Sequence, residues 1–145
     1  MGEWVNLGAL TTNSDLKNDY TGVKVHVGGK LVDSEDTKVG AFIGDHTKTS
    51  IGTLFNTGTV VGCMVSCVAH GGLMPKYIPS CALVLKGAVT RGQRFSEVLT
   101  TAKTASGRRN RPLTDADLTL LEHVRQMTRP ELLELSKRDR ALITG

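Results

Sequence analysis

The sequence has few aromatic residues, few cysteines and no long apolar run. Aromatic residues make up 4% of the chain, and neither an aromatic stacking platform nor a recognised nucleic-acid-binding motif is present, which makes a nucleic-acid binder the least supported function. Three cysteines cannot all pair with one another, which argues against a secreted disulfide scaffold. No apolar run approaches the ~20 residues that span a bilayer, and the N-terminus lacks a basic region followed by an apolar one. We therefore expect a cytoplasmic protein with no nucleic-acid partner and no membrane association.

The remaining composition is that of an ordinary soluble chain. With 145 residues, 39% hydrophobic and 22% charged, it fits one domain with appendages better than two independent cores. A formal net charge of +4 permits contact with phosphates or anionic sugars. A zinc site at Cys63, Cys67 and His70 would lack the usual CxxC spacing, so we expect buried free thiols and no metal.

The segment from Val39 to Val68 repeats with a period of six residues. Counted from Ile43, the first position of each hexad is mostly large and apolar, and the fifth is small. The first positions are Ile43, Thr49, Phe55, Val61 and Cys67, and the fifth positions are Thr47, Thr53, Thr59 and Val65. This pattern predicts a short strand and a turn repeated around a prism, with both columns inside. An ordinary pair of Thr- and Val-rich strands is the alternative.

Two finer expectations follow from the hexads. Glycine at the second position, as at Gly44 and Gly62, is expected to relieve the bend of each corner. The same phase is expected upstream, where Val5 and Thr11 lie six residues apart as first positions. Both expectations concern the local backbone, so a structure tests them directly.

The repeat is interrupted between residues 13 and 38 by a segment with a different pattern. The residues VKVHV alternate before Gly28 and Gly29, which predicts a hairpin arm. Such an arm could reach a neighbouring subunit or be a plain surface insertion.

After the repeat, the pattern becomes helical. A short apolar run from Cys81 to Lys86 precedes a first helix that ends at Gly107. Thr114, three residues before Asp117, predicts the start of a second helix, and Pro130 predicts the first turn of a third. The predicted organisation is a repeat domain over residues 1–80, with the arm at 13–38, and a strand and helical tail over 81–145.

Two stretches of the repeat resemble a known family. The residues VNLGALTTNSD and FIGDHTKTSIGTLFNTGTVVG are similar to the C-terminal left-handed parallel β-helix of sugar-1-phosphate nucleotidyltransferases related to bifunctional N-acetylglucosamine-1-phosphate uridyltransferase/acetyltransferase. The resemblance covers about residues 2–80 and implies a mainly β fold, a left-handed parallel β-helix of hexapeptide repeats. The inserted hairpin arm and the C-terminal α-helices complete the predicted fold, and the helices resemble the family's tail more loosely. The resemblance also implies an N-terminal nucleotide-binding domain with a Gly-rich signature near its start, and this chain contains nothing like that signature. Leu10 departs from the family, which has glycine there.

Histidine at a corner of the prism is the catalytic candidate. His46 lies beside Asp45 and Lys48 and could act as a general base in acyl transfer to a sugar. A corner histidine hydrogen-bonded between coils or subunits is the structural alternative.

Ligand-binding candidates come partly from the resemblance. Asn13 and Asp15 match a segment that contacts the sugar or acyl donor in relatives, although such residues also begin turns for local reasons. Three lysines and the basic run from Arg108 to Arg111 could contact the phosphates of a coenzyme or nucleotide, or they could be solvated surface residues. These residues are Lys17, Lys48, Lys76, Arg108, Arg109 and Arg111.

Four apolar residues fall outside the interior columns and need cover from helices or from other subunits. They are Ile51, Leu54, Val60 and Met64.

The family resemblance implies a homotrimer, so we expect a trimerising, ligand-positioning module of a sugar-1-phosphate nucleotidyltransferase-like protein that requires no cofactor. The alternative is an acyltransferase acting on a sugar or nucleotide sugar, with acetyl-CoA or another acyl-CoA as donor. The possible ligands are a sugar phosphate, a nucleotide-sugar or an acyl-CoA.

Overall fold

The structure, a computed structural model, describes residues 1–144. Eleven short strands and three helices are defined within them. The strands are β1 (Thr12–Asn13), β2 (Lys24–Val27), β3 (Lys30–Asp33), β4 (Phe42–Ile43), β5 (Lys48–Thr49), β6 (Leu54–Phe55), β7 (Val60–Val61), β8 (Ser66–Cys67), β9 (Tyr77–Ile78), β10 (Leu83–Leu85) and β11 (Ala88–Thr90). The helices are α1 (Phe95–Gly107), α2 (Asp115–Arg138) and α3 (Ala141–Thr144). The architecture is therefore mixed, with many short strands and a few helices.

The short strands pair in parallel between successive turns of the chain. The sheets are β4-β7-β9, β5-β8-β10 with β11 at its edge, and β1-β6. Phe42 pairs with Val60 and Val60 with Tyr77, while Lys48 pairs with Ser66. Isolated bridges add Asn6 to Lys48 and Leu73 to Leu54. The chain thus visits three sheets in turn, and strands begin every six residues from Phe42 to Ser66, as the repeat predicts. We call residues 2–85 without the arm the repeat region.

Both predicted interior columns are buried. The first-position residues are exposed by 8% or less, and the fifth-position residues are fully buried. Threonine suits the fifth position because its hydroxyl reaches a nearby carbonyl: Thr47 donates to the Gly62 oxygen at 2.8 Å and Thr59 to the Asn56 oxygen at 2.8 Å. A buried hydroxyl without such a partner would destabilise the fold. Of the three free cysteines, Cys67 is buried in the first column, whereas Cys63 and Cys81 are half-buried.

The prediction that second-position glycines relieve the corners was wrong. The left-handed backbone occurs at the fourth position of each hexad. These residues are His46, Gly52, Gly58 and Met64, with φ of 59°, 75°, 60° and 57°. Gly44 and Gly62 serve close stacking instead, since a Cβ would lie 2.7 Å from the Cys63 nitrogen and 2.5 Å from the Ser80 nitrogen. The neighbouring turn of backbone, rather than the bend, excludes a side chain there.

The upstream phase was also predicted wrongly, by two residues. Asn6 lies opposite Lys48 and Thr12 opposite Leu54. The first positions are therefore Leu7 and Asn13, and Thr11 aligns with the small column. Val5 and Thr11 lie near the N-terminal end of the repeat region. The pattern there is too short to determine which residue occupies the first position of each hexad.

The arm is a hairpin, as predicted, with Gly28 and Gly29 at its turn. Strands β2 and β3 pair antiparallel, and both glycines have positive φ. Its base packs on the repeat region: Val23 is fully buried beside Gly58, and the His26 ring stacks on Tyr77 at 3.8 Å between centroids. The tip stays exposed.

In the tail, one long helix, α2, takes the place of the predicted second and third helices. The capping box of Thr114 and Asp117 starts α2 as predicted, but Pro130 lies inside that helix. Leu121 and Leu132, on either side of the proline, are both 6% exposed. Burial of both leucines keeps the parts of α2 before and after Pro130 on one axis. It also offsets the loss of the backbone hydrogen bond that proline cannot donate.

The tail and the repeat region share one hydrophobic core. Leu132 of α2 belongs to the cluster that contains Ile78, Val84 and Val89. Polar contacts reinforce this packing, since Tyr77 donates to the Glu131 carboxylate at 2.6 Å. Among residues 1–144, no helix combines the length and the apolar character that crossing a bilayer requires.

Candidate functional site

A cavity of about 300 Å³ lies between the first turn of the repeat region and the start of α2. Its lining includes Glu3, Trp4, Asp45, His46, Arg111 and Asp117. We call it the His46 cavity. Residues from three distant parts of the sequence meet here.

Backbone contacts fix the two sides of the repeat region that form this cavity. The His46 amide donates to the Glu3 carbonyl at 2.9 Å, and the Glu3 amide donates to Asp45 Oδ1 at 2.7 Å. On the opposite wall, Asp117 is fixed by its capping bonds to Thr114, which also lower the pKa of its carboxyl.

The imidazole of His46 is almost completely buried. It is 7% exposed and lies stacked with Trp4, with 6.4 Å between ring centroids. Burial lowers the pKa of His46, and Lys48 lowers it further, against the opposite effect of Asp45, Asp117 and Glu3. Its Nδ1 is buried and has no hydrogen-bond partner among the described residues. A neutral imidazole nitrogen without a partner can accept a proton or a hydrogen bond. Because Nδ1 is shielded in this structure, a bound molecule would reach it only if the imidazole or a neighbouring side chain moved.

Arg111 closes one side of the cavity. Its guanidinium lies 3.9 Å from the Glu3 carboxylate and 5.6 Å from the centre of the Trp4 ring. This cation–π contact helps to keep Trp4 beside His46, whereas the exposed ion pair contributes little. Apart from Arg111, the charged groups of the cavity are carboxylates.

The structure scatters the predicted ligand-binding residues. Asn13 accepts a hydrogen bond from the Ala41 amide, which supports its structural interpretation, and Asp15 is exposed on the arm. Lys17 donates to Thr21 and Gly22 within the arm, and Lys76 donates to the Thr57 carbonyl.

Of the predicted ligand-binding candidates, Lys48 lies near His46, and Arg111 lines the His46 cavity. Lys48 donates to the Trp4 carbonyl at 2.5 Å and lines a second cleft beside the His46 cavity. Burial lowers the pKa of its ammonium group.

The four predicted interface residues differ in exposure. Ile51 is 68% exposed, and Leu54 and Val60 are half-buried. Met64 is 2% exposed, because it lies against Val98 and Ala102 of α1 around a cavity of about 20 Å³. Its cover therefore comes from a helix of the same chain.

Sequence reasoning missed most of the lining of the His46 cavity. Glu3 and Trp4 carry no motif, Asp117 stood out only as part of a capping box, and Arg111 stood out only as part of a basic run. Trp4 offered the one available signal, since it is the sole tryptophan of the chain. A single large aromatic residue in a chain poor in aromatics deserves a place among the candidate site residues.

Part of this chain is similar to a bifunctional transferase. The relative is a bifunctional sugar-1-phosphate nucleotidylyltransferase/acetyltransferase of Sulfurisphaera tokodaii, 42% identical over 62 residues. The match covers 43% of this chain, and the chain spans 16% of the relative's length. No family model matches the chain. The similarity supports a relation to sugar-1-phosphate nucleotidyltransferases and acetyltransferases, at the coarse level of the relative's name.

Proposed function

We propose that this chain is a trimerising, ligand-positioning module of a sugar-1-phosphate nucleotidyltransferase-like protein. In this proposal the repeat region is a left-handed parallel β-helix, and nucleotidyl transfer belongs to a domain that this chain does not contain. The similarity to the Sulfurisphaera tokodaii protein and the three-sheet register both support it.

The observation that carries the proposal is an uncovered apolar strip that runs from the turn before β6 to Leu54 of that strand and its bridge partner Leu73. Ile51 is 68% and Leu73 is 55% exposed, and Leu54 lies between them in the chain, paired with Leu73. We call these three residues the apolar strip. The other two sheets lie beside helices, one through Lys48 and Ser66 next to α1 and the other through Tyr77, which donates to Glu131 of α2. An apolar surface of this kind marks an interaction site, and three copies related by a threefold axis would cover one another's strips.

Changing the apolar strip tests the proposed assembly. We expect the wild-type chain to have three times the 15.6 kDa mass of one chain by light scattering after gel filtration. Ile51→Asp combined with Leu54→Asp would bury carboxylates at the interface, so this variant should become monomeric.

The matched control is Met127→Asp on α2, where the side chain is 67% exposed. This control introduces the same group outside the strip and should remain trimeric. A wild-type chain that is a clean monomer at all concentrations would contradict the proposal.

A second candidate function, acyl transfer, is favoured by the unpartnered Nδ1 of His46. In this hypothesis, His46 accepts the proton of a sugar amine or hydroxyl as that group attacks the carbonyl of an acyl-coenzyme A thioester. The carbon–sulfur bond breaks, and coenzyme A leaves as the thiol. The acidic groups around the cavity are Glu3, Asp45 and Asp117, which would favour an acceptor that carries an amine.

Thiol release from acetyl-CoA with a panel of amino sugars tests this second function. We expect His46→Ala to lower the rate about a hundredfold or more, in the usual range for loss of a general base. His123→Ala, on the exposed face of α2, removes an imidazole without touching the cavity and should retain the wild-type rate. Equal activity of wild type and His46→Ala would exclude His46 as the base.

A further inference from the structure

A second cleft, of about 440 Å³, lies between the first turn of the repeat region and the end of α1. Trp4, Asn6 and Lys48 line one side, and Arg108 and Arg109 line the other. We call it the basic cleft. Its volume falls within the range of roughly 300–1,000 Å³ typical of small-molecule sites.

The charges of the basic cleft have one sign. None of its lining residues is acidic. Within residues 1–144, neither Lys48, Arg108 nor Arg109 takes part in a salt bridge, whereas the nearby Arg111 pairs with Glu3. The three positive groups are therefore not neutralised by the protein.

The geometry also holds one of these cations in place. Lys48 is half-buried and its ammonium donates to the Trp4 carbonyl, which leaves two of its three protons for another acceptor. Arg108 and Arg109 are exposed and line the other side of the cleft, and guanidinium groups suit phosphate oxygens.

We propose that the basic cleft binds the diphosphate group of a small molecule. A diphosphate carries more charge than a single phosphate, which suits a cleft that is lined by three cations and no carboxylate. This inference deepens the ligand-positioning role proposed above, on which it rests, by giving the ligand's chemical class and its binding place. The basic run is then part of a site rather than a solvated linker.

Fluorescence of Trp4 provides a direct test, because it is the only tryptophan and lines the cleft. The chain is titrated at constant ionic strength with inorganic diphosphate, UDP, inorganic phosphate and uridine, and calorimetry gives an independent readout. We expect saturable binding of diphosphate and UDP, weaker binding of phosphate and none of uridine. Tighter binding of UDP than of diphosphate would identify a nucleotide as the source of the group, and equal binding would identify the diphosphate alone.

Two exposed arginines provide the test variant. Arg108→Gln combined with Arg109→Gln should raise the Kd for diphosphate about tenfold or more, through loss of charged hydrogen bonds. Lys103→Gln removes one charge from the side of α1 facing away from the cleft and should change the Kd less than about twofold. Far-UV circular dichroism checks that both variants keep the fold.

Two results would overturn the proposal. One is the absence of saturable binding in both readouts. The other is an equal loss of affinity in Lys103→Gln, which would mean that only the general positive charge matters. A monomer that still binds diphosphate contradicts the assembly proposal alone, and a trimer that does not bind it contradicts this proposal alone.

Discussion

His46 combines an unusual backbone with an unsatisfied side chain. Its φ of 59° is uncommon for a residue other than glycine, and its buried Nδ1 has no partner among the described residues. The positive φ recurs at this position of the repeat, including at the buried Met64, so the unpartnered Nδ1 is the feature that sets His46 apart. The same hexad position is glycine at Gly52 and Gly58, which shows that the repeat itself does not require histidine. These observations motivate the proposed role of His46.

The lowered pKa of His46 predicts that stability depends on pH. The unfolded chain has the ordinary value of 6.5, so between that value and the lower folded pKa it binds more protons at this site than the folded chain. The free energy of unfolding should therefore fall as the pH decreases below 6.5. Urea denaturation at about pH 7.5 and about pH 5.5 measures this difference, which His46→Gln should reduce.

His123→Gln serves as the control for this pH dependence, because it removes an exposed imidazole on α2. The lowered pKa values of Asp117 and Glu122 act in a separate window, since their contribution is lost only as the pH falls below about 4.5. An unchanged pH dependence in His46→Gln would show that the buried imidazole does not contribute.

Elements with a local signal were predictable from the sequence. The six-residue period, the arm's turn at Gly28 and Gly29, and the start of α2 at Thr114 each follow from a few neighbouring residues. The role of the second-position glycines was predicted wrongly. The pattern shows that a small residue is needed there, but it does not show whether the reason is a left-handed backbone or the close approach of the neighbouring turn. The prediction that Pro130 starts a new helix was wrong for a different reason. Proline locally favours the first turn of a helix, but burial of Leu132 against distant strands keeps Pro130 inside α2.

The candidate site was the least predictable part, because its elements meet only through the fold. The His46 cavity joins the first turn, a corner of the repeat and the start of α2, and no spacing in the sequence links them. His46 and Lys48 were candidates because they stand together in the repeat. Trp4 lies far from them in the sequence, yet it links the His46 cavity to the basic cleft.

The whole molecule depends on a continuous core rather than on two separate ones. The sequence favoured one domain with appendages, and the division at residue 80 stays a prediction; the buried cluster runs from Ile43 through Val89 to Leu132. At the end of α2, Asp139 is 6% exposed and accepts a hydrogen bond from the Val89 amide at 3.0 Å. Arg138 donates to the same carboxylate at 2.7 Å. This contact fastens the tail to the edge strand β11.

Asp139→Ala tests whether the tail and the repeat region unfold together. It leaves the buried Val89 amide without an acceptor, which should lower the free energy of unfolding by about 1–3 kcal/mol. Asp139→Asn keeps an oxygen for that amide and should cost less.

Denaturation is followed by Trp4 fluorescence, which reports the repeat region, and by far-UV circular dichroism, which reports mainly the helices. Because Leu132 and Val89 share one core, the two probes should give a single transition that shifts as one in Asp139→Ala. Two separated transitions, with only the helical signal moved by the substitution, would instead mean that the tail folds independently of the repeat region.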